Sequence, residues 1–155
     1  MYSHRGAYLN ALAMIIGHKL DENSRYLWTL PIFHCNGWTF PWAMAASGAT
    51  SICLQAINDK EIWQQLVKND ISHFCAAPTV LTMLTHSKYA IKLGHVIRIF
   101  TAGASPSPTL IKEISALGFI LDHVYGLTEI YGPFTHQVVE LDHDDITIEA
   151  CHKLA

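Results

Sequence analysis

The feature that most constrains this chain is an alternation of short strand-like runs with helix signals. The runs Tyr26–Leu30, Thr50–Leu54, Ser72–Ala76, Val96–Thr101 and Phe119–Tyr125 are rich in apolar, β-branched and aromatic residues. Helix signals lie between most of them. Asn58 followed by Glu61 resembles a capping box, after which Ile62, Trp63, Leu66 and Val67 share one face. Pro78 opens a short helix through Val80, Leu81 and Leu84. Ser107 and Pro108 suit an N-cap and a first helical position, and Gly118 suits the stop beyond the helix end. A further helix is expected over about Ser3 to Gly17, with Tyr8, Leu12, Ile15 and Ile16 on one face. This pattern predicts an α/β fold, a mostly parallel sheet covered by helices. The strands read as apolar on both faces, as such sheets require.

Half of the 155 residues are hydrophobic and only 15% are charged, enough for one domain with a real core. The net charge is −3, with no lysine or arginine run, which argues against nucleic acid and anionic membranes as partners. Tyr26 to Asn58 contains no Asp, Glu, Lys or Arg. Pro31, His34, Asn36, Gly37 and Pro41 break it too early for a membrane span, so strand, loop, helix and strand is the better reading. The apolar stretch Ala7–Gly17 follows His4 and Arg5 like a secretory leader, but Asn10 interrupts it. Cys35, Cys53, Cys75 and Cys151 form no CxxC pair and read as reduced, which points to the cytoplasm. The sequence ends Lys153-Leu154-Ala155, which is not a peroxisomal Ser-Lys-Leu signal; such an address on a longer parent would lie elsewhere. Residues 1–140 read as one unit. The tail, 141–155, is acidic around Asp142, His143, Asp144 and Asp145 and is expected to be poorly ordered.

In a parallel sheet the loops after the strands open on one edge, where ligands bind. Three such loops have unusual composition. Pro31 to Trp38 offers the His34 imidazole and the Trp38 indole. Thr101 to Pro106 offers small residues, with Gly103 allowing close backbone approach to a flat ring. Tyr125 to Glu129 offers a ring, the Thr128 hydroxyl and the Glu129 carboxylate. That set suits a nucleotide and an organic acid: Tyr125 stacking on a base, Thr128 on a phosphate, and Glu129 holding magnesium. Structural readings stand beside these. His34 alone reads as a hydrogen-bonded core histidine. Trp38 and Trp42 could be helix core, the preferred reading for Trp42. Tyr125 could pack inward, and Thr128 with Glu129 could begin a helix. The remaining histidines are scattered without ligand spacing.

The run Tyr125-Gly126-Leu127-Thr128-Glu129 resembles the YGxTE motif of the adenylate-forming (AMP-binding) superfamily. Leu30-Pro31-Ile32-Phe33-His34 is similar to its aromatic and histidine motif, and Thr101 to Pro106 to its Gly-Ala adenine loop. Tyr2-Ser3-His4-Arg5-Gly6 resembles the segment that follows its phosphate-binding loop. The four occur in family order over roughly residues 2–140. The fuller wording, with His34-Cys35-Asn36-Gly37-Trp38 and Tyr131-Gly132-Pro133, resembles short- and medium-chain fatty acyl-CoA synthetases of the plant acyl-activating and methylmercaptopropionate-CoA ligase type.

The resemblance implies a piece of an N-terminal adenylation domain that uses ATP, Mg2+ and coenzyme A to activate a carboxylic acid. It implies that Gly103, Ala104 and Ser105 frame adenine and the acyl pocket, and that Tyr125 stacks on adenine. Gly126 and Leu127 would pass close to the acyl group and the α-phosphate, Thr128 would contact phosphate, and Glu129 would bind magnesium. His34 would sit beside the carboxylate and Trp38 would wall the acyl pocket. The family's glycine-rich phosphate loop would precede Tyr2, and its ribose-binding aspartate, hinge and lysine-bearing domain would follow residue 155. The 155 residues contain none of these, so the isolated chain is expected to show no pyrophosphate exchange. Three functions remain open on sequence: part of an acyl-CoA ligase; a non-catalytic module that binds nucleotide or acyl groups or docks on an intact synthetase; and a membrane-associated chain.

Overall fold

A computed structural model describes residues 1–137. In chain order the elements are α1 (His4–His18), β1 (Arg25–Trp28), the single turn α2 (Cys35–Trp38), α3 (Phe40–Ser47), β2 (Thr50–Cys53), α4 (Asp59–Lys68), β3 (His73–Cys75), α5 (Pro78–Thr85), β4 (Ile97–Thr101), α6 (Pro108–Ala116), β5 (Phe119–Leu127), a 3-10 turn (Thr128–Ile130) and β6 (Gly132–Gln137). The acidic tail from Leu141, with Cys151, lies outside the described residues.

The six strands form one sheet in the order β2-β1-β3-β4-β5-β6. The first five are parallel, and β6 returns antiparallel to β5. Alternation along the strands splits the core in two. Leu27, Phe74, Ile97, Ile99, Phe119 and Leu121 pack with side chains of α4, α5 and α6. Tyr26, Trp28, Cys75, Phe100 and Val124 pack with α1, α2 and α3 on the other face. Tyr26, Leu27, Phe74 and Phe100 are completely buried. Each such side chain stabilises the fold by about 1.5–3 kcal/mol relative to exposure. Helices therefore cover both faces, and the carboxyl ends of five strands share one edge.

All five expected strands form. The sixth, Gly132–Gln137, escapes a periodicity reading because Pro133 sits inside it and four of its six residues are exposed. One expectation about the strands fails. β2 is an edge strand, hydrogen-bonded only to β1, and Thr50, Ser51 and Cys53 are exposed, so it is not buried on both faces. The face of α1 shared by Tyr8, Leu12, Ile15 and Ile16 is turned inward only in part, with Leu12 and Ile15 half-buried. Tyr8 and Ile16 are exposed, whereas Ala11, Met14 and His18 are buried. Apolar residues occur all round this helix, so periodicity could not select the inward side.

The helix ends follow their sequence signals. Ser3 accepts a hydrogen bond from the Gly6 amide at 3.0 Å, and Ser107 from that of Leu110 at 3.2 Å. Asn58 accepts from the Glu61 amide at 2.9 Å. The reciprocal half of the expected capping box is replaced. The Glu61 carboxylate accepts from the Gln55 and Ala56 amides at 2.7 and 3.2 Å, fixing the approach from β2. Removing the Asn58 cap by Asn58→Ala is expected to cost about 1 kcal/mol, read as a lower urea midpoint with an unchanged slope.

Candidate functional site

The loops after β1, β4 and β5 meet in a cleft of about 230 Å³. His34, Cys35 and Trp38 line it from the first loop, Ala102 and Gly103 from the second, and Gly126, Leu127, Thr128 and Glu129 from the third. Gly132 and Pro133 at the start of β6 complete the lining. The parallel register produces this convergence, because all three loops leave the sheet at the same edge.

The first wall is built on unusual backbone. Cys35, Asn36, Gly37, Trp38 and Thr39 all have positive φ, between 48° and 70°. α2 is thus a left-handed turn, closed by the Gly37 amide donating to the His34 carbonyl at 2.9 Å. Left-handed backbone costs L-residues about 1–2 kcal/mol each. Burial holds the turn: Cys35, Gly37, Trp38 and Thr39 are all buried. A Cβ on Gly37 would lie 3.0 Å from the Trp28 ring and 3.2 Å from Pro41, so only glycine fits there without displacing them. The turn points Trp38 inward and leaves His34 exposed at the cleft mouth. His34 is therefore not a core histidine.

The second wall is open. Gly103 has φ +89°, and a Cβ built there meets nothing within 4 Å. Ala104 and Ser105 follow as exposed residues outside the cleft lining. The third wall begins in the last residues of β5. Tyr125 is 56% exposed, so it does not pack inward; its ring sits 5.9 Å from that of Phe134. It stands outside the lining, next to Gly126. Thr128 and Glu129 start a 3-10 turn, not a longer helix, and both are exposed. The Thr128 hydroxyl lies 3.0 Å from the Cys35 sulfur, which bridges the first and third walls.

Cys35, Ala102, Gly132 and Pro133 are site residues that reading the sequence for chemistry passes over. Each stands inside a motif run that carries the family resemblance, without a role of its own there. Trp42 corrects another expectation. It is not helix core but 50% exposed, donating through its indole N–H to the Tyr131 hydroxyl at 2.6 Å. The phenol of Tyr2, on the same side, is raised above its ordinary pKa, mainly by loss of solvent and then by Cys35, Tyr131 and Glu129 nearby. Among the described residues no helix is long and apolar enough to cross a membrane, and no group of three or more His, Cys, Asp or Glu side chains could by itself hold a metal ion. A magnesium ion would fit the cleft only as one carried largely by phosphate oxygens and water, with the Glu129 carboxylate as its single protein ligand.

Parallel sheet, covering helices and a cleft of three motif loops define an adenylate-forming type of domain. The sequence matches the family model described as AMP-binding enzyme over residues 1–153, and the chain belongs to that family. It is 40% identical over 154 residues to the peroxisomal acetate/butyrate–CoA ligase AAE7 of Arabidopsis thaliana, covering 97% of this chain and 27% of the relative. It is 44% identical over 136 residues to acetate–CoA ligase CCL3 of Humulus lupulus, covering 86% and 24%. It is 41% identical over 158 residues to 4-hydroxybutyrate–CoA ligase 2 of Metallosphaera sedula, covering 99% and 28%. The chain thus spans about a quarter of the length of these relatives. Among solved structures, the N-terminal domain of FACL13 from Mycobacterium tuberculosis superposes with a TM-score of 0.84 at 22% identity, covering 99% of this chain and 38% of that one. O-succinylbenzoate coenzyme A synthetase (MenE) from Bacillus subtilis, in complex with ATP and magnesium, superposes with a TM-score of 0.81 at 20% identity, covering 92% and 30%. These likenesses establish the fold.

Proposed function

We propose that this chain forms the acyl- and nucleotide-binding centre of an ATP-dependent acyl-CoA synthetase that activates a short- or medium-chain carboxylic acid. One observation carries the reading: His34, Cys35 and Trp38, residues 102–103 and residues 126–129, far apart in sequence, line a single cleft at the carboxyl edge of the sheet. The curated relatives named above support the same reaction class, since their names specify acetate, butyrate and 4-hydroxybutyrate as acids joined to coenzyme A.

In this reading Gly103, Ala104 and Ser105 flank the adenine, with the exposed Tyr125 ring against its face. The open space over Gly103 suits a flat ring approaching the backbone closely. Thr128 donates its hydroxyl to a phosphate oxygen. Glu129 holds magnesium, which would neutralise charge on the phosphates. His34 orients the carboxylate from the cleft mouth, and the buried Trp38 walls the acyl side near Gly126. Coenzyme A enters as the acceptor of the activated acyl group in the complete enzyme. Residues 1–140 act as part of the adenylation domain.

The test is ATP binding by calorimetry, with and without magnesium. Glu129→Ala is expected to abolish the magnesium-dependent part, a loss of about tenfold or more in affinity, while leaving magnesium-independent binding in place. Equal magnesium dependence in the variant would remove Glu129 from the site. No nucleotide binding by the unaltered chain would overturn the reading for the chain on its own.

A further inference from the structure

The turn carrying Thr128 and Glu129 is exposed and only three residues long, so something outside it must fix its orientation. Tyr131, the next residue, does this from five directions. Its backbone is left-handed, φ +70°, and its amide donates to the Thr128 carbonyl at 3.1 Å, closing the turn. Its carbonyl accepts from the Asn10 side-chain amide at 2.8 Å and from the Thr39 hydroxyl at 3.4 Å. Its hydroxyl accepts from the Trp42 indole at 2.6 Å. Its ring lies 4.1 Å from that of Tyr2, whose own hydroxyl donates to the Thr128 carbonyl at 2.5 Å. Tyr131 is 6% exposed, in a segment where residues 127 to 130 are all exposed.

These contacts tie the turn to Tyr2 ahead of α1, to α1, to the end of α2 and to α3. Asn10, which looks like a polar defect in an apolar helix, bridges Tyr131 to the Thr39 hydroxyl, 2.6 Å away. A tyrosine in left-handed backbone is disfavoured unless its surroundings compel it. Here the carbonyl, hydroxyl and ring are each held by a different partner. The geometry points to Tyr131 as a positioning residue, one that touches no substrate but sets where the Thr128 hydroxyl and the Glu129 carboxylate stand over the cleft. The effect on ligand rests on the proposed nucleotide function; the effect on the turn does not.

Two measurements on Tyr131→Phe separate these claims. The variant keeps the ring against Tyr2 and removes only the bond to Trp42. Amide hydrogen exchange without ligand is expected to speed up about fivefold at Thr128–Gly132 and to remain unchanged in β3 and β4. Trp42→Phe should do the same, and the double variant should add nothing further, because both remove one bond. The ratio of ATP affinities with and without magnesium should fall about fivefold, beyond any loss of magnesium-free affinity that comes through Thr128. Exchange that rises evenly across the sheet, or additive effects of the two substitutions, would show a general stability role and overturn the proposal. Faster local exchange with an unchanged magnesium ratio would overturn the link to Glu129. Local exchange that speeds up in a chain with no ATP binding at all would uphold the positioning and sink the nucleotide reading instead.

Discussion

Gly126→Ala is expected to cost about 3 kcal/mol or more and to abolish ligand binding with it. The methyl group would sit 1.9 Å from the Gly132 carbonyl oxygen, 2.3 Å from its carbon and 2.7 Å from the Pro133 Cα. None of these atoms belongs to a flexible side chain, so relief requires β5 and β6 to move apart. They pair irregularly here, with a register shift between Tyr125 and Gly126, and the bulge brings the two backbones together. Forced overlap in packed structure is among the few mechanisms that give large single-residue losses. The natural control is Gly103→Ala. That Cβ meets nothing within 4 Å, so only the positive φ resists it, at about 1–2 kcal/mol. Urea unfolding of both variants checks the order. A Gly103 variant less stable than the Gly126 variant would refute the backbone account of the motif glycine.

The resemblance implied a close approach of Gly126 to the acyl group and the α-phosphate. The structure adds a second and stronger requirement, the close approach of β6. That requirement was illegible in the sequence because β6 itself was. The parallel strands were readable because each is a short apolar run bounded by turn residues, a local property. β6 has no such run, and its place is set by pairing with β5 after the left-handed Tyr131. The convergence of the three loops was readable through topology, since a parallel sheet puts every post-strand loop on one edge. What local pattern could not supply was orientation. α1 is apolar on every side, so its buried face depends on where α3 and β6 lie, and Tyr8 and Ile16 face outward. Trp42 was misread for the same reason, its indole engaging Tyr131 89 residues away. Cys35 lacked any chemical signal until its sulfur met Thr128 across 93 positions.

The second large effect is acid lability centred on two buried histidines. His18 is 1% exposed, ringed by Phe100 at 3.9 Å, Phe40 at 5.9 Å and His136 at 5.4 Å. Burial, then His136, His73 and Arg98, lowers its pKa to about 3. His73 is lowered to about 4, again chiefly by burial, with Arg98 adding and the His18 carbonyl and Asp21 opposing. The partners fix its tautomer. Nε2 lies 3.1 Å from the His18 carbonyl, which can only accept, so Nε2 carries the proton. Nδ1, 2.7 Å from the Ser72 hydroxyl, is then the acceptor of a neutral ring. Both rings are held neutral when folded but take a proton near pH 6.5 when unfolded. The unfolded state therefore binds more protons below pH 6.5, and stability falls as pH drops from there toward 4. Two groups shifted this far give a loss of about 5 kcal/mol by pH 4.5, comparable with the whole stability of a small domain. His18→Phe keeps an aromatic ring and the backbone carbonyl that holds His73. Its unfolding free energy, followed by urea titration from pH 7 to pH 4.5, should fall about half as steeply as that of the unaltered chain. An equal slope would mean that His18 is not a group taking up the proton, and the acid sensitivity would belong to His73 or to the carboxylates.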